Sequence, residues 1–428
     1  MLNAKKKLRV LFISGELIAG DMAYRLKNEG CDVKLYIKDR SRRDCFDGML
    51  EKISNWRKEL GWVGKDGLIV FDDVGYGNIQ DNLRKKGYQV VGGSEFGDKL
   101  ELDRDYGHKI FSICDIKIVP TKSFNNIKNA ISFVKRNKGK WVVKQNDHQS
   151  CLNYVGQADD GSDVISTLEN YACRGICSIN LQEKIDGIEI GVARYFNGND
   201  WIGPIEFNIE HKSLHNGNIG PKTGEMGTIM WYSTNEDNRI YKETLEKLKP
   251  FLIHAKHKGD VDVNCIVNKN GIFPIEATSR FGCPATQLQV ELNLSPWNDF
   301  LLAVAKGDDC DLEYKNGFGV VVSVCIPPFP YRNIDKKAYL KGANILFKGE
   351  LTEEELDSIH FEEVSLNKGT GNNTHVVAGS NGFIMYITGS GKTVQEARER
   401  AYMLVEKIII PQMFYRTDIG EKLSLIHI

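Results

Sequence analysis

The densest chemistry in this 428-residue chain lies in one stretch, His211-Lys212-Ser213-Leu214-His215-Asn216-Gly217-Asn218-Ile219-Gly220-Pro221-Lys222-Thr223-Gly224-Glu225-Met226-Gly227. Glycines, two histidines and a Lys-Thr-Gly step do not fill a core. Glycine lets backbone approach a ligand closely, and its amides bind anions. A second concentration lies at Ser14-Gly15 and Asp72-Asp73, each directly after an apolar run that reads as a strand. Ligands of parallel sheets gather at such carboxyl ends. Lys144 closes the run Trp141-Val142-Val143, so its ammonium stands at a strand end where it can meet an anion. Cys173 and Cys177 form the one close cysteine pair, and without a second pair at zinc spacing they do not read as a metal site.

The elements that must position these groups follow from periodicity. Leu8 to Ile13 is continuously apolar, as in a strand covered on both faces. Ala19 to Asn28 has helical spacing, and strands follow at Cys31 to Ile37, Gly67 to Phe71 and Gln89 to Val91. Alternating strands and helices predict a parallel sheet with helices on both faces. Farther on, strands are expected at 141–144, 179–185 and 188–195, and a helix at 239–255. A hairpin joins 262–267 to 272–277 around Asn268-Lys269-Asn270-Gly271. A third region begins near Gly317, with a strand at 320–326, a proline-rich break at 327–330 and a helix at 394–408.

Bulk properties narrow the function classes. At 41% hydrophobic and 26% charged residues the chain suits two to four packed modules. A net charge of −1 gives no electrostatic case for nucleic acid or an anionic membrane, and the Lys5-Lys6-Lys7 run reads as a solvated start. No apolar run approaches the ~20 residues that span a bilayer, and none resembles a secretory signal. Ten scattered cysteines then read as reduced thiols of a cytoplasmic protein. Oligomeric state is left open.

The loop at 211–227 resembles the "GPNTGGMG" loop of the glycinamide ribonucleotide synthetase family, within the ATP-grasp superfamily. Glu276-Ala277-Thr278-Ser279-Arg280-Phe281-Gly282-Cys283-Pro284 is similar to that family's "EFNxRFGDPE", and Phe414 to Gly420 to its closing "FYRxDIG". The resemblance implies an α/β ATP-grasp fold. It has an N-terminal doubly wound parallel α/β domain (1–104), an ATP-grasp domain (105–316) with a small nucleotide-covering part at about 118–190, and a small, mostly β C-terminal domain (317–428). It implies ATP and Mg2+ as cofactors. Lys144 and Arg104 would face phosphates, Glu183, Lys184 and Ile185 the adenine, and Glu189 the ribose. Glu276, with Thr278 or Asn264, would hold magnesium, while Arg280, Thr223 and Gly224 would lie at the carboxylate that is activated.

Departures from the family bear on the substrate. Ser14 to Gly20 stands where the family has "GSGGREH", so a sugar phosphate is poorly served. Asp72-Asp73 would repel a phosphate and favour an amine or hydroxyl. Arg104 replaces a lysine, Asp147 to Tyr154 lacks the glycines of the family's phosphate flap, and Thr278 replaces an asparagine, for which Asn264 or Asp262 can compensate. The expected function is an ATP-dependent carboxylate–amine ligase acting through an acyl phosphate. Glycine or a similar amino acid would be the carboxylate, and the amine would be other than phosphoribosylamine. Two alternatives stand beside it. One is a non-catalytic relative binding a nucleotide or partner; the other is a phosphoribosylamine–glycine ligase with a divergent N-terminus.

Overall fold

A computed structural model describes residues 7–144, 153–331, 340–367, 374–421 and 423. Of the altered phosphate flap at 147–154, residues 147–152 lie outside the described residues. The first module is a parallel sheet of β1 (Arg9–Ser14), β2 (Asp32–Ile37), β3 (Glu51–Ile53), β4 (Leu68–Phe71) and β5 (Gln89–Val91), in the order β3-β2-β1-β4-β5. Residues 10–13 and 68–71 are fully buried, as strands covered on both faces must be. Because β1 pairs with β4, Ser14-Gly15 and Asp72-Asp73 meet at adjacent strand ends.

A small antiparallel sheet follows, β6 (Thr121–Phe124), β7 (Trp141–Lys144), β8 (Tyr154–Val155) and β9 (Ile179–Glu183), ordered β6-β9-β7-β8. The helices Ile127–Arg136 and Ser162–Cys173 pack on it through Ala130, Val134, Val164 and Leu168.

The third sheet carries most of the polar residues of interest. Its strands are drawn from β10 (Ile188–Phe196), β11 (Trp201–Glu210), the hairpin β12 (Ser213–His215) and β13 (Ile219–Lys222), β14 (Gly227–Ser233), β15 (Gly259–Asn268), β16 (Gly271–Thr278), β17 (Phe318–Cys325), β18 (Leu346–Phe347), β19 (Ile359–Phe361), β20 (Val364–Asn367), β21 (Thr374–Val377) and β22 (Phe383–Gly391). Eight of these form one antiparallel sheet in the order β16-β15-β10-β11-β14-β17-β22-β19. The sheet runs on across residue 317, so the C-terminal region adds strands to it.

Alternation gives this sheet two unlike faces. Val261, Val263, Cys265, Ile205 and Phe207 enter a core with Leu245, Leu248, Phe251 and Leu252 of the covering helical segment. The residues between them, Asp260, Asp262, Asn264, Glu206, Asn208 and Glu210, fall on the opposite face. The covering segment departs from the single helix expected at 239–255. It is broken into Arg239–Glu243, a 3-10 turn at Leu245–Leu248 and Lys249–Ala255. Thr244 leaves helical geometry (φ −128°, ψ −88°), and Pro250, which has no N–H to give, opens the last piece.

Candidate active site on the polar face of the central sheet

Hairpin β15–β16 sets Asn264 directly opposite Glu276 and Asp262 opposite Thr278. Strand β10 lies beside β15, and β11 beside β10, which brings Glu189 and Glu210 to the same face. The carboxylates of Glu189, Glu210 and Glu276 each offer an oxygen within 4.8 Å of the others. Lys212 fills the middle: its Nζ lies 2.7 Å from Glu276, 2.7 Å from Glu210 and 3.2 Å from Glu189. Asn264 Nδ2 donates to Glu210 (3.2 Å) and Glu276 (3.3 Å). Burial by itself lowers the lysine pKa, yet Glu210, Glu276 and Glu189 raise it well above its ordinary value. Lys212 in turn holds the Glu276 carboxyl at about 2.

Cations from two other elements face this cluster. Lys144, at the end of β7, is pushed down to about 8 by burial and by Arg104. Arg104 opens the helix Arg104–Ile113 and is lowered by burial, against the pull of Glu276. His108, one turn on, is held at about 4 by burial, Lys144 and Arg104. Two positive groups from outside the central sheet, Lys144 and Arg104, therefore lie within electrostatic reach of its carboxylates.

The glycine-rich stretch folds as the exposed hairpin β12–β13, with its base at the cluster. The Thr223 N–H and hydroxyl both donate to the Lys212 carbonyl, at 2.8 Å. The closing C-terminal motif clamps this hairpin. Arg416, 1% exposed, donates to the Ser213 carbonyl and Asn218 Oδ1 (2.9 Å each) and pairs with Asp418 at 2.7 Å. Asp418 accepts from the Gly217 N–H at 2.8 Å.

Of the residues expected from sequence, Lys144, Arg104, Glu276, Asn264 and Glu189 converge, and Thr223 joins them through Lys212. Glu189 sits among the carboxylates rather than apart from them, and Thr278 lies one row along the same face, opposite Asp262. Glu183 is exposed at the end of β9, and Lys184 and Ile185 form the link to β10. Gly224 follows Thr223 at the exposed edge of the hairpin. Arg280 belongs to a different group: its Nε donates to Glu101 at 3.1 Å, and Glu101 and Asp73 raise its pKa although burial opposes its charge. Sequence reasoning missed Glu210, Lys212, His108, Asn208, Glu206 and Glu225 as site groups. The alternation Ile205-Glu206-Phe207-Asn208-Ile209-Glu210 carried the signal for three of them.

Several buried oxygens on this face lack a partner. Asn208 Oδ1, Asn264 Oδ1, Asp262 Oδ1, Glu225 Oε1 and Thr228 Oγ1 have none among the described residues. An unsatisfied buried polar group costs about 1–3 kcal/mol, so such a set marks a place built for a ligand rather than for stability. Gly191 makes the arrangement possible, since a Cβ there would lie 2.1 Å from Asn208 Oδ1.

At the first sheet the loop after β1 is occupied by the protein itself. Asp72 accepts from Ser14 Oγ (2.7 Å), the Ala19 N–H (3.1 Å) and the Gly15 N–H (3.3 Å). These amides precede the helix Gly20–Asn28, where an anion would otherwise dock. Asp73 lies over Gly15 so closely that a Cβ there would fall 2.3 Å from its Oδ2. Burial and Asp73 push Asp72 up to about 7.

The phosphoribosylglycinamide synthetase ATP-grasp (A) domain matches residues 102–286, and the phosphoribosylglycinamide synthetase C domain matches 337–422. Phosphoribosylamine–glycine ligase of Clostridium acetobutylicum is 25% identical over 387 residues, 87% of each chain. That of Helicobacter pylori is 26% identical over 355 residues, 80% of this chain and 79% of its own. The crystal structure of phosphoribosylamine–glycine ligase from Thermotoga maritima shares the fold with TM-score 0.73 at 19% identity, covering 96% of this chain and 100% of that one. A biotin carboxylase from Campylobacter jejuni shares it at 0.64 and 12%, covering 99% of this chain and 96% of its own. This fold, with its match to an ATP-grasp domain, places the chain in the class of ATP-grasp ligases. Within that superfamily the chain is similar to the phosphoribosylglycinamide synthetase family, in both the ATP-grasp and the C domain. Among the described residues no helix is long and apolar enough to cross a membrane.

Proposed function

We infer that the protein joins a carboxylate to an amine at the expense of ATP, through an acyl phosphate. The observation that carries this is the convergence of Lys144 and Arg104 opposite Glu276, Asn264, Glu189 and Glu210 on one sheet face. Lys144 and Arg104 would hold the phosphates, and the segment Glu183 to Ile185, between the two sheets, would meet the adenine. The hard oxygens of Glu276, Glu210 and Asn264, with Glu189 or Thr278 beside them, suit Mg2+, which would offset charge between the phosphates. The substrate carboxylate attacks the γ-phosphorus and ADP leaves. The amine then attacks the acyl carbon and phosphate leaves. Thr223 and Gly224, and Arg280 once it exchanges Glu101, would orient the carboxylate.

The named relatives favour glycine as the carboxylate and phosphoribosylamine as the amine, over the different amine expected from sequence alone. One observation supports the different amine as a second reading: the anion-docking amides of Gly15 and Ala19 are already bonded to Asp72. Phosphate release from MgATP tests both. Release that needs glycine and freshly generated phosphoribosylamine supports the relatives' reaction; release with glycine and an unphosphorylated amine supports the second reading. A soluble, folded protein that releases no phosphate with any amino acid and amine would overturn the ligase assignment.

A further inference from the structure

Two departures from the family motifs meet in space. In the loop "GPNTGGMG" the sixth residue is glycine, whereas this chain has Glu225; in "RFGDPE" the fourth is aspartate, whereas this chain has Cys283. The Glu225 charge acts on the Cys283 thiol, whose Sγ lies 2.9 Å from the Tyr386 hydroxyl. Glu225 is 4% exposed, and Ser323 ties down its backbone by donating to its carbonyl at 3.1 Å. A carboxylate lost at position 283 has been regained at position 225, within electrostatic reach of it.

The surroundings of Glu225 are rich in acceptors and short of donors. Its charged neighbours are Glu210, Lys212, Asp262 and Glu189. The Asn208 amide nitrogen is spent on Asp262 (2.7 Å) and Glu206 (3.3 Å), and Lys212 is spent on the three carboxylates around it. Glu225 Oε1, Asp262 Oδ1, Asn208 Oδ1 and Thr228 Oγ1 are left facing no partner among the described residues. A small group with positive charge and several N–H donors would complement them, and an ammonium has three such donors. Glu210 belongs to both this set and the carboxylates around Lys212. A ligand here therefore lies beside the place where the γ-phosphate and its acceptor meet.

We propose that Glu225, Asp262 and Asn208 form a subsite for the ammonium group of an amino-acid substrate, with Glu225 supplying the carboxylate that the family motif carries at position 283. It rests on the ligase reading, because that reading puts the substrate carboxylate at Thr223 and Gly224, directly before Glu225 in the chain; in an α-amino acid the ammonium then falls toward Glu225.

Steady-state phosphate release with glycine as the varied substrate tests the subsite in Glu225→Gln, Glu225→Gly and the double variant Glu225→Gly with Cys283→Asp. The single variants should raise KM for glycine at least about tenfold and leave KM for ATP within about twofold. The double variant should recover most of that loss. An unchanged glycine KM in folded single variants, or no recovery in a folded double variant, overturns the proposal. Calorimetry on the wild-type protein needs neither turnover nor a variant that folds. Glycinamide, a cation without a carboxylate, should bind saturably where acetamide does not. Equal behaviour of the two, or displacement of glycinamide by K+ or Mg2+ alone as the preferred occupant, overturns it. Absence of any phosphate release combined with selective glycinamide binding would overturn the ligase reading while upholding the subsite.

Discussion

Replacing Lys212 with methionine would show whether its ammonium is what holds three carboxylates together. The nitrogen stands 2.7, 2.7 and 3.2 Å from Glu276, Glu210 and Glu189, whose ligand oxygens are within 4.8 Å of one another. At an effective dielectric of about 20, each of these attractions is worth roughly 5–6 kcal/mol, and each carboxylate pair repels by about 3.5 kcal/mol. Methionine keeps much of the stem and removes the charge, leaving about 10 kcal/mol of repulsion among the three. The protein escapes that full cost by protonating one carboxyl. Near pH 7.5 this costs about 4 kcal/mol, from about 1.4 kcal/mol for each pH unit above an ordinary glutamate pKa of ~4.3. The side chains are 15% to 43% exposed, so screening by solvent brings the expected loss to about 2 kcal/mol. For a chain of this size that is a fall in Tm of about 2 °C. The variant has no resident cation, so millimolar Mg2+ should raise its Tm by more than it raises that of the wild type. Thermal unfolding followed by fluorescence, with and without Mg2+, gives both quantities. A variant with wild-type Tm and a wild-type response to Mg2+ would refute the idea that Lys212 neutralises these carboxylates.

Other expectations follow from the same geometry. Glu276→Gln should lower Mg2+-dependent turnover by about 100-fold or more while the protein stays folded, since it removes a carboxylate charge that would hold Mg2+; full amide formation by this variant would sink the role given to Glu276. Lys144, held at about 8, is cationic below that pH and neutral above it. The Kd for ATP should therefore be flat below pH 8 and weaken by up to about tenfold per unit above it, an inflection that Lys144→Met should abolish in binding titrations. Asp72→Ala should free the Gly15 and Ala19 amides, so that the variant gains calorimetrically detectable binding of inorganic phosphate absent from the wild type. Arg416→Gln should lose the clamp on the β12–β13 hairpin, visible as faster limited proteolysis within 216–222 and a Tm drop of several degrees, because removing one partner of a buried ion pair costs about 3–5 kcal/mol.

Much of this was legible before any coordinates. Continuous apolar runs at 10–13 and 68–71 could only be strands covered on both faces, and the turn residues at 268–271 could only join a hairpin. The motifs around Arg280 and Arg416 pointed to the family, although what Arg416 does, clamping the 211–227 hairpin, shows only in space. Lys144, Glu189, Asn264 and Glu276 could be picked out because each stands at a strand end or on the hairpin, in an order the family shares. Glu210 and Lys212 were not, since a charge near the end of an alternating strand reads as solvated surface until its neighbours are known.

The chain's own order of residues determined the element types, the parallel first module and the family, because these depend on period, turn chemistry and local motif. Tertiary structure alone decided which charges face one another. Hairpins β10–β11 and β15–β16 are separate in the chain, and only the pairing of β10 with β15 sets Glu189, Glu210 and Glu276 around Lys212. Pairing of β1 with β4 brings Asp72 against the Gly15 and Ala19 amides, and the folded hairpin loop brings Glu225 within electrostatic reach of Cys283. Coulomb energies and hydrogen bonds act over a few ångströms, and separation along a sequence carries no information at that range.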